Sequence, residues 1–96
     1  MEDELVNTEQ IDSALNAALN SDNVPKFYAN SFIVSTTTSD FVLVSQLNGV
    51  PVQVMNVSFT SLKSLSIAIE KTIKNFENKT GIDIITADQV QKSVYK

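Results

Sequence analysis

The chain has 96 residues, a net charge of −4 and 43 % hydrophobic residues, the size and make-up of one folded domain. It has no Cys, which excludes a disulfide framework, a thiolate zinc site and a cysteine nucleophile. His and Arg are absent too, which removes the usual activator of a Ser or Thr hydroxyl and the side chain suited to bidentate base readout.

Residues 1–8 read as a frayed acidic arm. Ile11, Leu15, Ala18 and Leu19 then recur at helical spacing and predict a short amphipathic helix, with Asn7 and Gln10 as its capping box. The apolar stripe is narrow, so this helix needs a partner surface. NSDNVPK follows as a linker, because Pro25 keeps Val24 out of the helical region. Residues 1–25 thus form an arm, a helix and a linker; residues 26–96 form the core domain. The acidic start lacks the basic-then-apolar order of a secretory signal. No apolar run approaches the roughly 20 residues that span a bilayer. The expectation is a small acidic protein of the cytoplasm with no membrane contact.

From Phe27 to Phe59 the only charged residue is Asp40. The run has a period of two: Phe27, Ala29, Ser31 and Ile33 on one side of a first strand, Tyr28, Asn30, Phe32 and Val34 on the other. FVLVSQL and VPVQVMNV read as the second and third strands. Asn48-Gly49 between them favours a type I′ hairpin turn. Unbroken pairing outward from that turn puts Phe41, Leu43, Ser45 and Leu47 on one face with Val50, Val52, Val54 and Asn56. Val42, Val44 and Gln46 then share the other face with Pro51, Gln53, Met55 and Val57. Pro51 lacks a donor, which suits an outermost third strand and a meander ordered 1-2-3.

A long helix is predicted from about Phe59 to Lys79, with Ser58 or Thr60 as its N-cap and Ser58 the favoured of the two. Leu62, Leu65, Ile69, Ile73 and Phe76 fall in one narrow arc and should cover the apolar sheet face. Lys63, Glu70, Lys71 and Lys74 lie opposite, with Ile67 among them. Gly81 suits the left-handed residue beyond the helix end. Thr86 and Gln89 form a second capping box, with Ile85 and Val90 as its hydrophobic staple, and predict a short helix from Ala87 to Tyr95. The fold class is therefore α+β: a three-stranded antiparallel β-meander packed on one long α-helix, with a short N-terminal amphipathic helix and a short C-terminal helix.

YANSFIVSTTTSDFVLVSQ followed by VMNVSFTSLKSLSIAIEKTIKNFE resembles a family of small bacterial domains of unknown function. The matching positions are Tyr28, Asn30, Asp40, Phe41, Leu43, Ser58, Lys63, Leu65, Ala68, Ile69, Phe76 and Glu77, across residues 28–77. The chain departs from the pattern at Phe59, where the family usually has Pro. The resemblance implies a β-β-β-α unit paired as a homodimer, and implies no activity.

Catalysis has little to work with. Ser61 and Ser64 flank Lys63, but helix neighbours point in different directions. Asp83 and Asp88 flank one turn, Asp40 reads as a residue of another with its side chain bonded to local backbone, and no cluster of acids suggests a metal; no catalytic residue, metal or other cofactor is expected. Residues 63–96 carry six lysines, enough for only a weak basic patch, and nucleic acid is not the expected partner. What remains is interaction. Both sheet faces carry apolar residues, one helix can cover only one of them, and the outer edge lacks protective charge. The expected shared surface is Val42, Val44, Val52, Val54, Met55 and Val57, with Ile67 as an outlying contact. The expected function is a non-catalytic homo-oligomeric protein-interaction module, most simply a homodimer. Its alternatives are a chaperone-like or antitoxin-like binder of an extended segment and a weak nucleic-acid-binding regulator.

Overall fold

The uncharged run builds a sheet of three strands, Ser31–Thr36 (β1), Phe41–Leu47 (β2) and Val50–Val57 (β3), paired antiparallel in the order β1-β2-β3. The computed structural model describes residues 2–94, with side chains from residue 9 onward. The described residues also form three helices: Glu2–Asn20 (α1), Phe59–Thr80 (α2) and Ala87–Val94 (α3). The fold class is α+β, and the meander runs in the expected order with β3 outermost. Tyr95, the expected end of the last helix, lies outside the described residues.

α1 begins well before the predicted start. Residues 2–8 contain no Gly or Pro, and Glu and Leu are good helix formers. Acidic residues also suit the positive end of the helix dipole. Asn7 therefore lies inside the helix rather than capping it. Past its other end, Lys26 donates from Nζ to the carbonyls of Ser21 at 2.8 Å and Val24 at 3.1 Å, which ties the linker back on itself.

β1 starts later than the alternation predicts, and Phe27 and Tyr28 stay outside the sheet. Asn30 sets the boundary. Its backbone N–H donates to the Gln46 carbonyl at 2.9 Å. Its side-chain oxygen accepts from the Asn48 N–H at 3.0 Å, and its amide donates to Asn48 Oδ1 at 2.9 Å. Asn48 and Gly49 have φ of 52° and 82°, the two positive values a type I′ turn requires. Asn30 thus clamps the hairpin turn to the start of β1. Asn30→Ala should lower stability by about 1 kcal/mol, a typical net hydrogen-bond contribution. Such a loss lowers the thermal midpoint by roughly 4–8 °C in a domain of this size. An unchanged melt by circular dichroism would contradict the clamp.

The opposite turn is held by Thr37. Its Oγ1 accepts from the N–H groups of Ser39 and Asp40 at 3.2 and 3.1 Å, and its hydroxyl donates to Asp40 Oδ1 at 2.6 Å. Asp40 also accepts from the Asn56 amide, at 3.3 Å to Oδ2. It is a turn residue as expected, though Thr37 makes the backbone bonds.

The pairing of β2 with β3 corrects the predicted register. Leu47↔Val50 and Gln46↔Pro51 pair as expected beside the turn. An irregularity follows between Ser45 and Gln46, and Val52 is the extra residue on β3. Beyond it every pair moves by one: Ser45↔Gln53, Val44↔Val54, Leu43↔Met55, Val42↔Asn56 and Phe41↔Val57. The reason is sorting of side chains between faces. Without the bulge Asn56 would oppose Phe41, and Met55 would sit on the other face. With it, Met55 and Val57 join Phe41 and Leu43, and Asn56 reaches Asp40 on the far side.

α2 begins where Ser58 caps it. Ser58 is extended (φ −62°, ψ 157°) and its Oγ accepts from the Ser61 N–H at 3.2 Å. At the other end Gly81, at φ 73°, donates its N–H to the Glu77 carbonyl at 2.9 Å. The second capping box is present: Gln89 Oε1 accepts from the Thr86 N–H at 2.7 Å, and Thr86 Oγ1 accepts from the Gln89 N–H at 3.2 Å.

The packing of α2 departs from expectation. α2 makes little contact with the sheet; at its first residue the rings of Phe59 and Phe41 meet edge-on at 5.0 Å. The stripe beyond leaves the sheet uncovered. Leu65, Ile69, Ile73 and Phe76 remain 37–50 % exposed. Among the described residues none is buried. The radius of gyration is 16.3 Å, against about 12.5 Å for a compact chain of this length. The cause is local. A single residue, Ser58, separates β3 from α2, and its conformation is committed to the cap.

Candidate interaction surface

Strand alternation and the observed register define two faces of the sheet. One carries Phe32 and Val34 from β1, Phe41, Leu43 and Leu47 from β2, and Val50, Met55 and Val57 from β3. Its polar members are Thr36, Ser45 and Gln53. This is the aromatic face, and the Phe59–Phe41 contact puts the root of α2 on its side. The mixed face carries Ile33, Val42, Val44, Pro51 and Val54 beside Ser31, Ser35, Gln46 and Asn56. Ser31 donates to Gln46 across it at 3.2 Å, and Asn56 donates to Asp40.

The residues predicted for the shared surface are therefore divided. Val42, Val44 and Val54 lie on the mixed face, Met55 and Val57 on the aromatic face, and Val52 at the bulge. Val54, Met55 and Val57 have each changed sides relative to the unbroken register. Ile67 is exposed on α2, on the arc that carries Lys63, Glu70 and Lys74, away from the apolar stripe. Glu70 and Lys74 pair there at 3.1 Å, a solvated i,i+4 contact that contributes little.

Phe32, Val34, Phe41 and Leu43 complete the apolar surface, together with the stripe on α2. Sequence reasoning assigned the stripe to an intramolecular core, so it missed these residues as outward-facing ones. The signal lay in the single residue between the third strand and the helix. Where α2 leaves the sheet, Phe41, Phe59, Leu62, Lys63 and Ser66 line an open crevice of about 390 Å³. Farther along, Leu65, Ala68, Ile69, Thr72 and Ile73 line a groove of about 340 Å³ on the helix itself. Such grooves between i±3 and i±4 rows receive side chains of a packed neighbour.

Ser61, a candidate partner for Lys63, is engaged in the α2 cap, where its Oγ accepts from the Ser58 hydroxyl at 2.8 Å. The outer edge of β3 carries no charged side chain, and among the described residues no strand pairs with it. α1 presents Ile11, Leu15 and Leu19 to solvent, each more than half exposed. Among the described residues no helix is long and apolar enough to cross a membrane. Comparison with known proteins finds no matching family model, curated protein or solved structure.

Proposed function

We propose that the protein is a non-catalytic, homo-oligomeric interaction module of the cytoplasm, with sheet residues 41–57 and the stripe of α2 as its shared surface. The carrying observation is the open single chain. It exposes 8367 Å², about 3,000 Å² more than a compact monomer of this mass. Folding costs conformational entropy for each ordered residue, and burial of apolar surface is the main return. A chain with an amphipathic sheet, an amphipathic helix and no buried residue among those described recovers that burial most simply by association.

Mass measured by light scattering across a dilution series tests it. The expected result is a discrete multiple of the chain mass that falls only at low concentration. A species that stays monomeric at high micromolar concentration while keeping its helix and strand signals would overturn it. A second reading, capture of an extended segment by strand addition, is favoured by the uncharged open edge of β3. It requires the isolated chain to be a folded monomer, so the same series separates the two.

A further inference from the structure

Resting on the self-association reading, we infer that the α2 stripe of one copy lies across the aromatic sheet face of a second copy, and that the second copy's α2 returns the contact. Three observations converge on this occupant. The stripe and the aromatic face are complementary in kind and both are left open by the same chain. Their lengths match: Leu62 to Phe76 spans about 21 Å of helix, and strands of seven and eight residues span about 23–26 Å. The excess exposed area, about 3,000 Å² per chain and so about 6,000 Å² for a pair, matches the large obligate interfaces, which run from about 2,000 to beyond 5,000 Å² in total.

The short link decides between covering the sheet within the chain and covering it from the mate. Ser58 alone joins β3 to α2 and its Oγ is held by the Ser61 N–H, so the exit direction of the helix is fixed before the stripe begins. The helix can reach a neighbouring sheet without disturbing that cap. Pairing α2 with α2 would cover two stripes and leave both aromatic faces open. Reciprocal helix-on-sheet seating covers all four surfaces with one two-fold contact. The crevice between Phe41, Phe59 and Leu62 then lies at the join, where it can take an apolar side chain from the mate.

The natural absence of cysteine makes the test direct. Ile69→Cys and Leu43→Cys chains, one carrying a size tag, are mixed unfolded, refolded together and mildly oxidised; Ile73→Cys with Val34→Cys serves as a second pair should the first fold poorly. The expected product is a disulfide joining the two different chains, formed through the folded state and lost when oxidation is carried out in denaturant. A band joining two Ile69→Cys chains, with none between Ile69→Cys and Leu43→Cys, would overturn the arrangement in favour of helix-on-helix pairing. Associated mass without the helix-to-sheet disulfide in either pair would overturn it as well, leaving self-association standing. A monomer by light scattering would remove both the arrangement and the reading beneath it.

Discussion

Ile69→Asp is expected to convert an associated, folded protein into a dispersed and largely unfolded chain. Ile69 is half exposed in the single chain and central in the stripe, between Leu65 and Ile73. Losing the burial of one such side chain costs about 1.5–3 kcal/mol, and leaving a carboxylate unpaired in an apolar contact adds to that. A two-fold contact counts the change twice. The sum is at least about 5 kcal/mol, or a factor of about 10³–10⁴ in the dissociation constant. Because none of the described residues of the single chain is buried, helix and strand signals should fall together with the mass. Ile67→Asp is the matched control, on the lysine-bearing side of the same helix. It should stay within about 0.5 kcal/mol of the parent, as surface substitutions usually do. Sedimentation and circular dichroism on both variants check the pair, and equal behaviour of the two would argue against the stripe as the contact.

The second large effect concerns the bulge. Deleting Val52 should leave the protein folded, and deleting Val44 should not. Val52 is the one residue of β3 without a partner in the ladder. Its removal joins Pro51 to Gln53 and lets Ser45↔Gln53 and Leu43↔Met55 persist in a regular hairpin, at a cost of about 1 kcal/mol or less for the lost local twist and packing. Val44 sits in the central strand, paired with Ile33 on one side and Val54 on the other. Its removal flips Phe41 and Leu43 to the mixed face relative to both neighbours. Several side chains worth about 1.5–3 kcal/mol each then point the wrong way, which exceeds most of the 5–15 kcal/mol that holds a typical domain together. Thermal melts of the two deletions provide the comparison. A Val52 deletion as damaging as the Val44 deletion would mean that the bulge carries a constraint beyond register.

Local signals carried much of this architecture. Asn48-Gly49, Ser58, Gly81 and the Thr86/Gln89 box each encode a backbone geometry within a few residues, and each stands where the spacing put it. The errors lie where the deciding interaction is distant. The start of β1 depends on Asn30 reaching a turn 18 residues away, which alternation in Phe27–Asn30 cannot reveal. The bulge depends on a choice between two sortings of Met55, Asn56 and Val57 across a sheet. The wish of Asn56 for Asp40 and of Met55 for Leu43 could have been weighed from the residues, but hairpin arithmetic alone assumes an unbroken ladder. The amphipathic stripe on α2 was equally visible. Periodicity says that a face will be covered and is silent on which chain covers it.

The cap at Ser58 also bears on how the protein reaches its final state. The hairpin and α2 can form from neighbouring residues, on the microsecond scale typical of such elements. Under the proposed self-association, the concluding step is an encounter between two chains, and its rate rises with concentration. Newly made chains at low abundance would linger as open species with apolar surface and an unpaired strand edge, the form most accessible to proteases and chaperones. On that proposal, one serine between a strand and a helix would couple the lifetime of the protein to how much of it is present.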